Sequence, residues 1–459
     1  MSLEFPADLA MHDTVAPLAD RPPMGWNSWD CYGTTVTEAE VLANAEFMAE
    51  HLLRFGWDTI VVDIAWYDPA ARAGGYNEKP GIEMDAWGRQ LPATNRFPSA
   101  AAGAGFAPLA ARVHALGLRF GLHIMRGIPR AAVERALPVF ERAGVTAADI
   151  ADPASACTWN PDNVGLNHDH PGAQAYYDAQ VAQFATWGVD FIKADDMLAP
   201  YHSREIAAYA LAIARSGRPI TLSLSPGTDL SQAHREHLAA NAELWRVSDD
   251  LWDRWEDILD QFGRLARWAP HQRPGAWADA DMLPLGRIGI RAERGDDRMS
   301  RLTPDEQRTM LTLWCLARSP LMFGGDLPST PSQTLALLTN PAVLRMHRDS
   351  HGQRELWREG DTIVWSSVAG AEVEEPAAIY VAVFNTADAA REIHLPLSAL
   401  GAPAGAATAT DLWHGDQVAV TNGGLTLRVP AHGCRLMHLD TPLEHQSSQP
   451  AVDSRSITV

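Results

Sequence analysis

The sequence predicts an α/β protein: a (β/α)8 TIM barrel followed by a C-terminal antiparallel β-sandwich. Three observations lead there. Short apolar runs alternate with helix-like stretches from about residue 24 to residue 340, the pattern of a parallel sheet covered by helices. The apolar runs number eight, at residues 23–29, 59–66, 119–126, 191–196, 220–226, 244–250, 275–282 and 320–325, which is the count that closes a barrel. Beyond Asn340 the texture changes to short strand-like runs separated by turn signals such as Asn422-Gly423-Gly424, as in a small sandwich.

Each part follows in order. Residues 1–20 carry acids and prolines without a continuous apolar stretch, so they are read as an N-terminal extension and not as a signal peptide. Residues 21–340 form the expected barrel, with helices over 38–55, 108–116, 174–187, 202–214 and 304–316 between the strands. Residues 341–445 form the expected sandwich, with strands at 361–368, 378–384, 391–395, 407–412 and 425–429. The polar, Ser-containing stretch 446–459 is expected to be a disordered tail.

Composition narrows the partners. The 459 residues hold 37 Lys and Arg against 57 Asp and Glu, a formal charge of −20. Such a surface repels nucleic acid and anionic membranes, and no run reaches the ~18 apolar residues of a membrane span. A neutral small molecule fits; a homo-oligomer is left open. The four cysteines, Cys31, Cys157, Cys315 and Cys434, form no CxxC pair and imply neither a zinc framework nor a disulfide scaffold. With no leader read, the cytoplasm is the expected compartment.

In a barrel of this kind the chemistry sits where the strands end. Here those ends are polar: Asp63 on strand two, His123 on strand three, Lys193 and Asp195 on strand four, Ser225 on strand five, Arg246 and Asp250 on strand six. A lone acid at a strand end is more often an ion-pair partner or a helix cap, and Asp196 and Asp249 fit that description. Asp63, Lys193, Asp195, Arg246 and Asp250 converging on one rim do not. Lys193 and Asp195, two apart on a strand, share a face, and the ammonium keeps the carboxylate ionised. One ionised carboxylate and one acid together make the equipment of a glycosidase. Trp29 and Trp66, close to strand ends, are the expected platforms for the C–H faces of a sugar. Asn167-His168-Asp169-His170 has the look of metal ligands, but alternate loop residues rarely close a site; no metal or organic cofactor is expected.

The run Pro22-Pro23-Met24-Gly25-Trp26-Asn27-Ser28-Trp29 resembles the opening of glycoside hydrolase family 27, the α-galactosidases and α-N-acetylgalactosaminidases. The resemblance continues through Arg96-Phe97-Pro98, Trp187-Gly188-Val189-Asp190-Phe191-Ile192-Lys193-Ala194-Asp195, Asp279-Ala280-Asp281-Met282-Leu283 and Ser319-Pro320-Leu321-Met322. It implies a retaining, exo-acting α-glycosidase of the α-galactosidase kind. Asp195 would be the nucleophile and Asp250 the acid/base. Lys193 and Arg246 would hydrogen-bond sugar hydroxyls, Trp29 would line the pocket, and Asp63 would bind outer hydroxyls. His123 stands where the family often has a tyrosine, and Asp281 is read as structural.

Three departures bear on the sugar. The family's Asp-Asp pair on strand two is Asp63-Ile64 here, and Ile64 accepts no hydrogen bond. Ser225 stands where α-galactosidases carry a glutamate near the sugar 2-position. Met197 replaces a cysteine that closes a loop beside the nucleophile in secreted members. Galactose, N-acetylgalactosamine, L-arabinopyranose and glucose all remain open as the bound sugar. From other classes, a metal-dependent barrel lyase using Asp63, Asp195 and Asp250 as ligands, or a sugar-binding protein without catalysis, also remain.

Overall fold

A computed structural model describes residues 18–227, 230–370, 378–401 and 408–440. All eight expected barrel strands are present: β1 (Met24–Asn27), β2 (Thr59–Val62), β3 (Arg119–Met125), β4 (Phe191–Asp195), β5 (Thr221–Leu224), β6 (Leu244–Arg246), β7 (Trp277–Asp279) and β8 (Leu321–Phe323). They pair in parallel in the order β7-β6-β5-β4-β3-β2-β1-β8. The two edges meet through Leu283, which bridges in parallel to Phe323, while the Ala280 N–H donates to Ser319 Oγ at 3.0 Å.

The helices follow from local signals. After β1 comes α1 (Glu38–His51), opened by a capping box in which Thr37 and Glu40 satisfy each other's backbone N–H groups. Then come α2 (Ala107–Ala115), α3 (Pro171–Trp187), α4 (Ser203–Ser216), α5 (Arg235–Asn241) and α6 (Trp255–Trp268). The helix before β8, α7 (Pro304–Ala317), repeats the box with Thr303 and Glu306 and adds proline at its first position. After β8 come α8 (Ser332–Leu338) and α9 (Pro341–Asp349). Among the described residues no helix is long and apolar enough to cross a membrane.

Three excursions leave the regular pattern, all at the strand ends that carry polar residues. The first, between β2 and α2, covers 63–106. The second, between β3 and α3, contains a small sheet of Ile128–Pro129, Asn163–Leu166 and Ala151–Ala156. The third, between β7 and α7, holds the hairpin Arg287–Ile288 with Arg298–Met299.

The C-terminal unit is an antiparallel sandwich. One sheet has the order β9-β10-β11-β16-β13-β14, from β9 (His351–Glu359), β10 (Thr362–Val368), β11 (Ala378–Asn385), β13 (Thr408–Asp411), β14 (Gln417–Ala419) and β16 (Cys434–Asp440). The other pairs β12 (Arg391–Pro396) with β15 (Gly424–Val429). Along β11, Ile379, Val381 and Val383 face the second sheet, whereas Tyr380, Ala382 and Phe384 join the barrel's core. Burial on both faces explains why this strand reads as an unbroken apolar run. Contacts across the junction include the Phe262–Phe384 ring pair at 4.9 Å and His432 stacked on Trp255 at 4.4 Å.

Two expectations need adjusting. Residues 341–349, expected to open the sandwich, are helix α9, whose Val343, Leu344 and Met346 pack into the barrel core; the sandwich strands start at His351. The strands β9, β14 and β16 were not foreseen, β9 because it is a bulged, largely exposed edge without clean alternation. Residues 1–17 of the N-terminal extension, the tail 446–459 and Ala407 lie outside the described residues. Ala19 is described, and its carbonyl accepts from Trp277 Nε1 at 2.8 Å.

Gly105 shows how tightly the barrel and its helix layer meet. It has a left-handed φ of 56°, and a Cβ there would lie 2.0 Å from Trp187 Nε1. Gly105→Ala is expected to destabilise the fold by more than ~1 kcal/mol, read as a lowered midpoint in denaturant unfolding.

Candidate active site

The polar strand ends gather into one cavity of about 300 Å³. Trp29, Asp63, Lys193, Asp195 and Asp250 line it. A larger hollow of about 580 Å³ at the junction with the sandwich, beside Trp413, holds none of these carboxylates.

Asp195 ends β4 and is gripped on both oxygens. Oδ1 accepts from the Asp196 backbone N–H at 2.8 Å, and Oδ2 lies 2.8 Å from His123 Nε2. His123 is fully buried on β3, in register with Lys193. Burial alone would raise the Asp195 pKa. The hydrogen bond and electrostatic pull of His123, with the positive charge of Lys193, outweigh it and hold the carboxyl below the usual carboxylate range.

Lys193 points the same way as Asp195, and its Nζ donates to Asp63 Oδ2 at 2.9 Å. Burial works against the ammonium, but Asp63 and Asp195 more than offset it and push its pKa above that of a free lysine. Asp63, buried just past β2, also accepts from Asn27 Nδ2 at 2.8 Å. Burial again opposes its charge, and Lys193, His123 and Asn27 together bring its pKa down.

Arg246, buried at the end of β6, stands outside the lining, as His123 does, and spans two acids from behind it. Its guanidinium lies 3.0 Å from Asp250 Oδ1 and 2.8 Å from Asp281 Oδ1. Asp281 also accepts from the Leu251 N–H at 2.7 Å, which anchors the turn carrying Asp250. Burial lifts Asp281 above the usual carboxylate range against the pull of Arg246, helped by the neighbouring charges of Asp250 and Asp279. Asp250 is the more open of the two facing acids, with 38% of its side chain exposed against 14% for Asp195.

Other expected site residues fall elsewhere. Trp66 is fully buried, not a sugar platform: its Nε1 donates to the His123 carbonyl at 2.8 Å and its ring packs edge-on against Phe106, Tyr67 and Trp187. By position 66 the chain has left the strand, and the ring turns into the helix layer. Ile64 and Ser225 are buried and stand behind the lining, Ile64 beside Asp63 and Ser225 behind Pro226, which does face the cavity. Asp196 pairs with Arg126 at 2.7 Å, as a structural acid would. Asp249 does not; it is exposed at the cavity mouth. Of the would-be metal ligands, His168 pairs with Glu205 at 3.0 Å, Asp169 with Arg204 at 2.7 Å, and His170 caps α3.

Tyr76, Trp159, Glu293 and Arg294 complete the lining. None stands at a strand end. They arrive on the three excursions, whose paths no periodicity in the sequence announces; the only available signal was Trp159, one of many tryptophans.

Comparison with known proteins decides the family. The chain is 47% identical to a family-27 β-L-arabinopyranosidase from Geobacillus stearothermophilus, with a TM-score of 0.89 over 93% of this chain and 98% of that one. This chain belongs to glycoside hydrolase family 27. Its residues 163–349 match the family model described as alpha galactosidase A, and residues 359–439 match that of the alpha galactosidase C-terminal beta sandwich domain. A candidate α-N-acetylgalactosaminidase of Bacillus halodurans is 41% identical, with a TM-score of 0.82 over 92% of this chain and 99% of that one. Alpha-galactosidase 2 of Arabidopsis thaliana is 25% identical over 92% of this chain and 90% of its own length. The family-27 chain is therefore a glycoside hydrolase, and the resemblance at its N-terminus extends through both domains.

The pairing of Arg246 with Asp281 sets a stability requirement. Arg246→Met leaves the Asp281 carboxyl buried without its cation and is expected to cost about 3–5 kcal/mol, measured by denaturant unfolding.

Proposed function

We propose that this family-27 hydrolase is a retaining exo-glycosidase that removes a terminal β-L-arabinopyranosyl residue by double displacement on Asp195 and Asp250. What carries the mechanism is the contrast between the two acids. Asp195 is held ionised and oriented on both oxygens, as a nucleophile requires. Its carboxylate attacks the anomeric carbon while Asp250 gives its proton to the departing oxygen. The negative charge left on Asp250 faces the Arg246 guanidinium. Water, losing a proton to Asp250, then breaks the Asp195 ester and frees the sugar with its configuration kept. Lys193 and Asp63 present a donor and an acceptor to the sugar's hydroxyls.

The sugar is read from position 64, where Ile64 stands buried just behind the lining beside Asp63 and offers no polar atom. β-L-Arabinopyranose is α-D-galactopyranose without its exocyclic hydroxymethyl group. A carboxylate beside Asp63 would serve that hydroxymethyl; an isoleucine gives its hydroxyl no partner, and a site loses little by binding a ring that lacks it. The 47% identity to an enzyme described as a β-L-arabinopyranosidase, a variant of which was crystallised with arabinose, favours the same choice. α-Galactoside hydrolysis is the second reading, favoured by the description of the family model and of the plant relatives. The metal-lyase reading is disfavoured by the Lys193 ammonium, which already pairs with Asp63 and whose charge acts on Asp195.

Asp195→Asn is expected to abolish hydrolysis of nitrophenyl β-L-arabinopyranoside without lowering the thermal midpoint. Asp250→Asn is expected to slow substrates with poor leaving groups by about 10²–10⁴-fold and nitrophenyl glycosides far less. Normal turnover by the Asp195 variant removes the mechanism, and NMR of the first-formed product reads retention directly. The wild type is expected to prefer nitrophenyl β-L-arabinopyranoside over the α-galactoside, and Ile64→Asp to move that ratio toward galactoside by about tenfold or more. A ratio that stays put counts against Ile64 setting the sugar.

A further inference from the structure

Trp159 is 37% exposed, and its ring opens onto the cavity that holds Asp195 and Asp250. Trp87, the other exposed tryptophan among the described residues, lies outside that cavity, edge-on to Phe140 with Arg89 over its face.

The loop of Trp159 is not loose. Asn160 and Asp162 beside it are buried; the Asp162 N–H donates to Asn160 Oδ1 at 2.9 Å, the Asp162 carboxylate accepts from Tyr67, and Arg130 Nε donates to the Pro161 carbonyl at 2.7 Å. An apolar ring is thus held out on a fixed support. It also ends a file of rings. Trp29 stacks on Tyr76 with centroids 5.7 Å apart, and Tyr76 lies 5.7 Å from Trp159. The file runs from the buried base of the cavity to its mouth. Asp249, Glu293 and Arg294 share that mouth, and Glu293 is near enough to Asp250 for the two charges to act on each other.

We infer that this mouth is a subsite for a second sugar ring, the leaving group, which stacks on Trp159 and offers its hydroxyls to Asp249, Glu293 and Arg294. The inference rests on the mechanism proposed above, and it names the aglycone. A pyranose has C–H faces for the ring and edge hydroxyls for the carboxylates. An alkyl aglycone leaves the acids unused, and an anionic one meets more negative than positive charge there. The preferred substrates are therefore glycosides of another neutral sugar.

The test uses the full-length enzyme and two substrates that share the transferred sugar: β-L-arabinopyranosyl fluoride, whose leaving group has no ring, and a disaccharide with β-L-arabinopyranose linked to a neutral pyranose. Trp159→Ala is expected to lower kcat/KM on the disaccharide about tenfold or more beyond whatever loss the fluoride shows. Trp159→Phe should restore most of the loss, and the thermal midpoint of each variant reports on folding. Equal losses on both substrates would place Trp159 against the transferred sugar, and no loss on either would leave it without a ligand; both overturn the subsite. If the wild type cleaves α-galactosyl fluoride in preference, the sugar assignment fails, and the same comparison with the galactosyl pair then decides the subsite separately.

Discussion

Several carboxylates crowd the open end of this barrel, and they share it because Lys193 and Arg246 stand among them. Lys193 donates to Asp63 while its charge acts on Asp195, and Arg246 bridges Asp250 and Asp281. Arg246 is buried and Lys193 largely so, and each would be costly there without its acids. The dependence is mutual: removing either partner leaves the other desolvated and uncompensated. Lys193 is paired on the wall and Arg246 behind it, and the cavity between Asp195 and Asp250 is left for a substrate.

The barrel makes that mesh reachable. Register places His123 opposite Lys193 and Met125 opposite Asp195, so inward-pointing side chains of neighbouring strands meet at one depth. The supports behind the mesh are made of backbone as much as of side chains. The Asp196 N–H holds Asp195, and Asp281 holds the turn bearing Asp250 through the Leu251 N–H. Residues on strands set the angle of attack, and the excursions beyond the strands set what surrounds it.

That division explains what the sequence could and could not disclose. The eight strands were legible because each is a short apolar run buried on both faces. Asp63, Lys193, Asp195, Arg246 and Asp250 were legible because polarity at the end of such a run is expensive and needs a reason. Trp66 was misplaced by the same rule: proximity to a strand end in sequence does not give direction once the chain has left the strand. Tyr76, Glu293 and Arg294 were hidden because loop paths depend on tertiary contacts, such as those of Asp162 and Arg130, between residues distant in sequence; Trp159 stood out only as one of several tryptophans near the strand ends. The helix α9 carried a readable apolar spacing, but the change of texture nearby drew the domain boundary too early. Asp249 both caps its turn, accepting from the Asp250 N–H, and stands at the cavity's edge.

The sandwich's place in the molecule has one further consequence. Tyr380, Phe384 and Trp365 belong to the same packed interior as the barrel's Phe262 and Trp314. The sandwich keeps a second core of its own between its sheets, but its barrel-facing side shares the barrel's interior. Cutting the chain at the junction would bare an oily face on the α6 and α7 side of the barrel, and those helices flank the segments that present Asp250 and Glu293. The C-terminal strands thus act as a buttress for the catalytic end rather than as a detachable appendage.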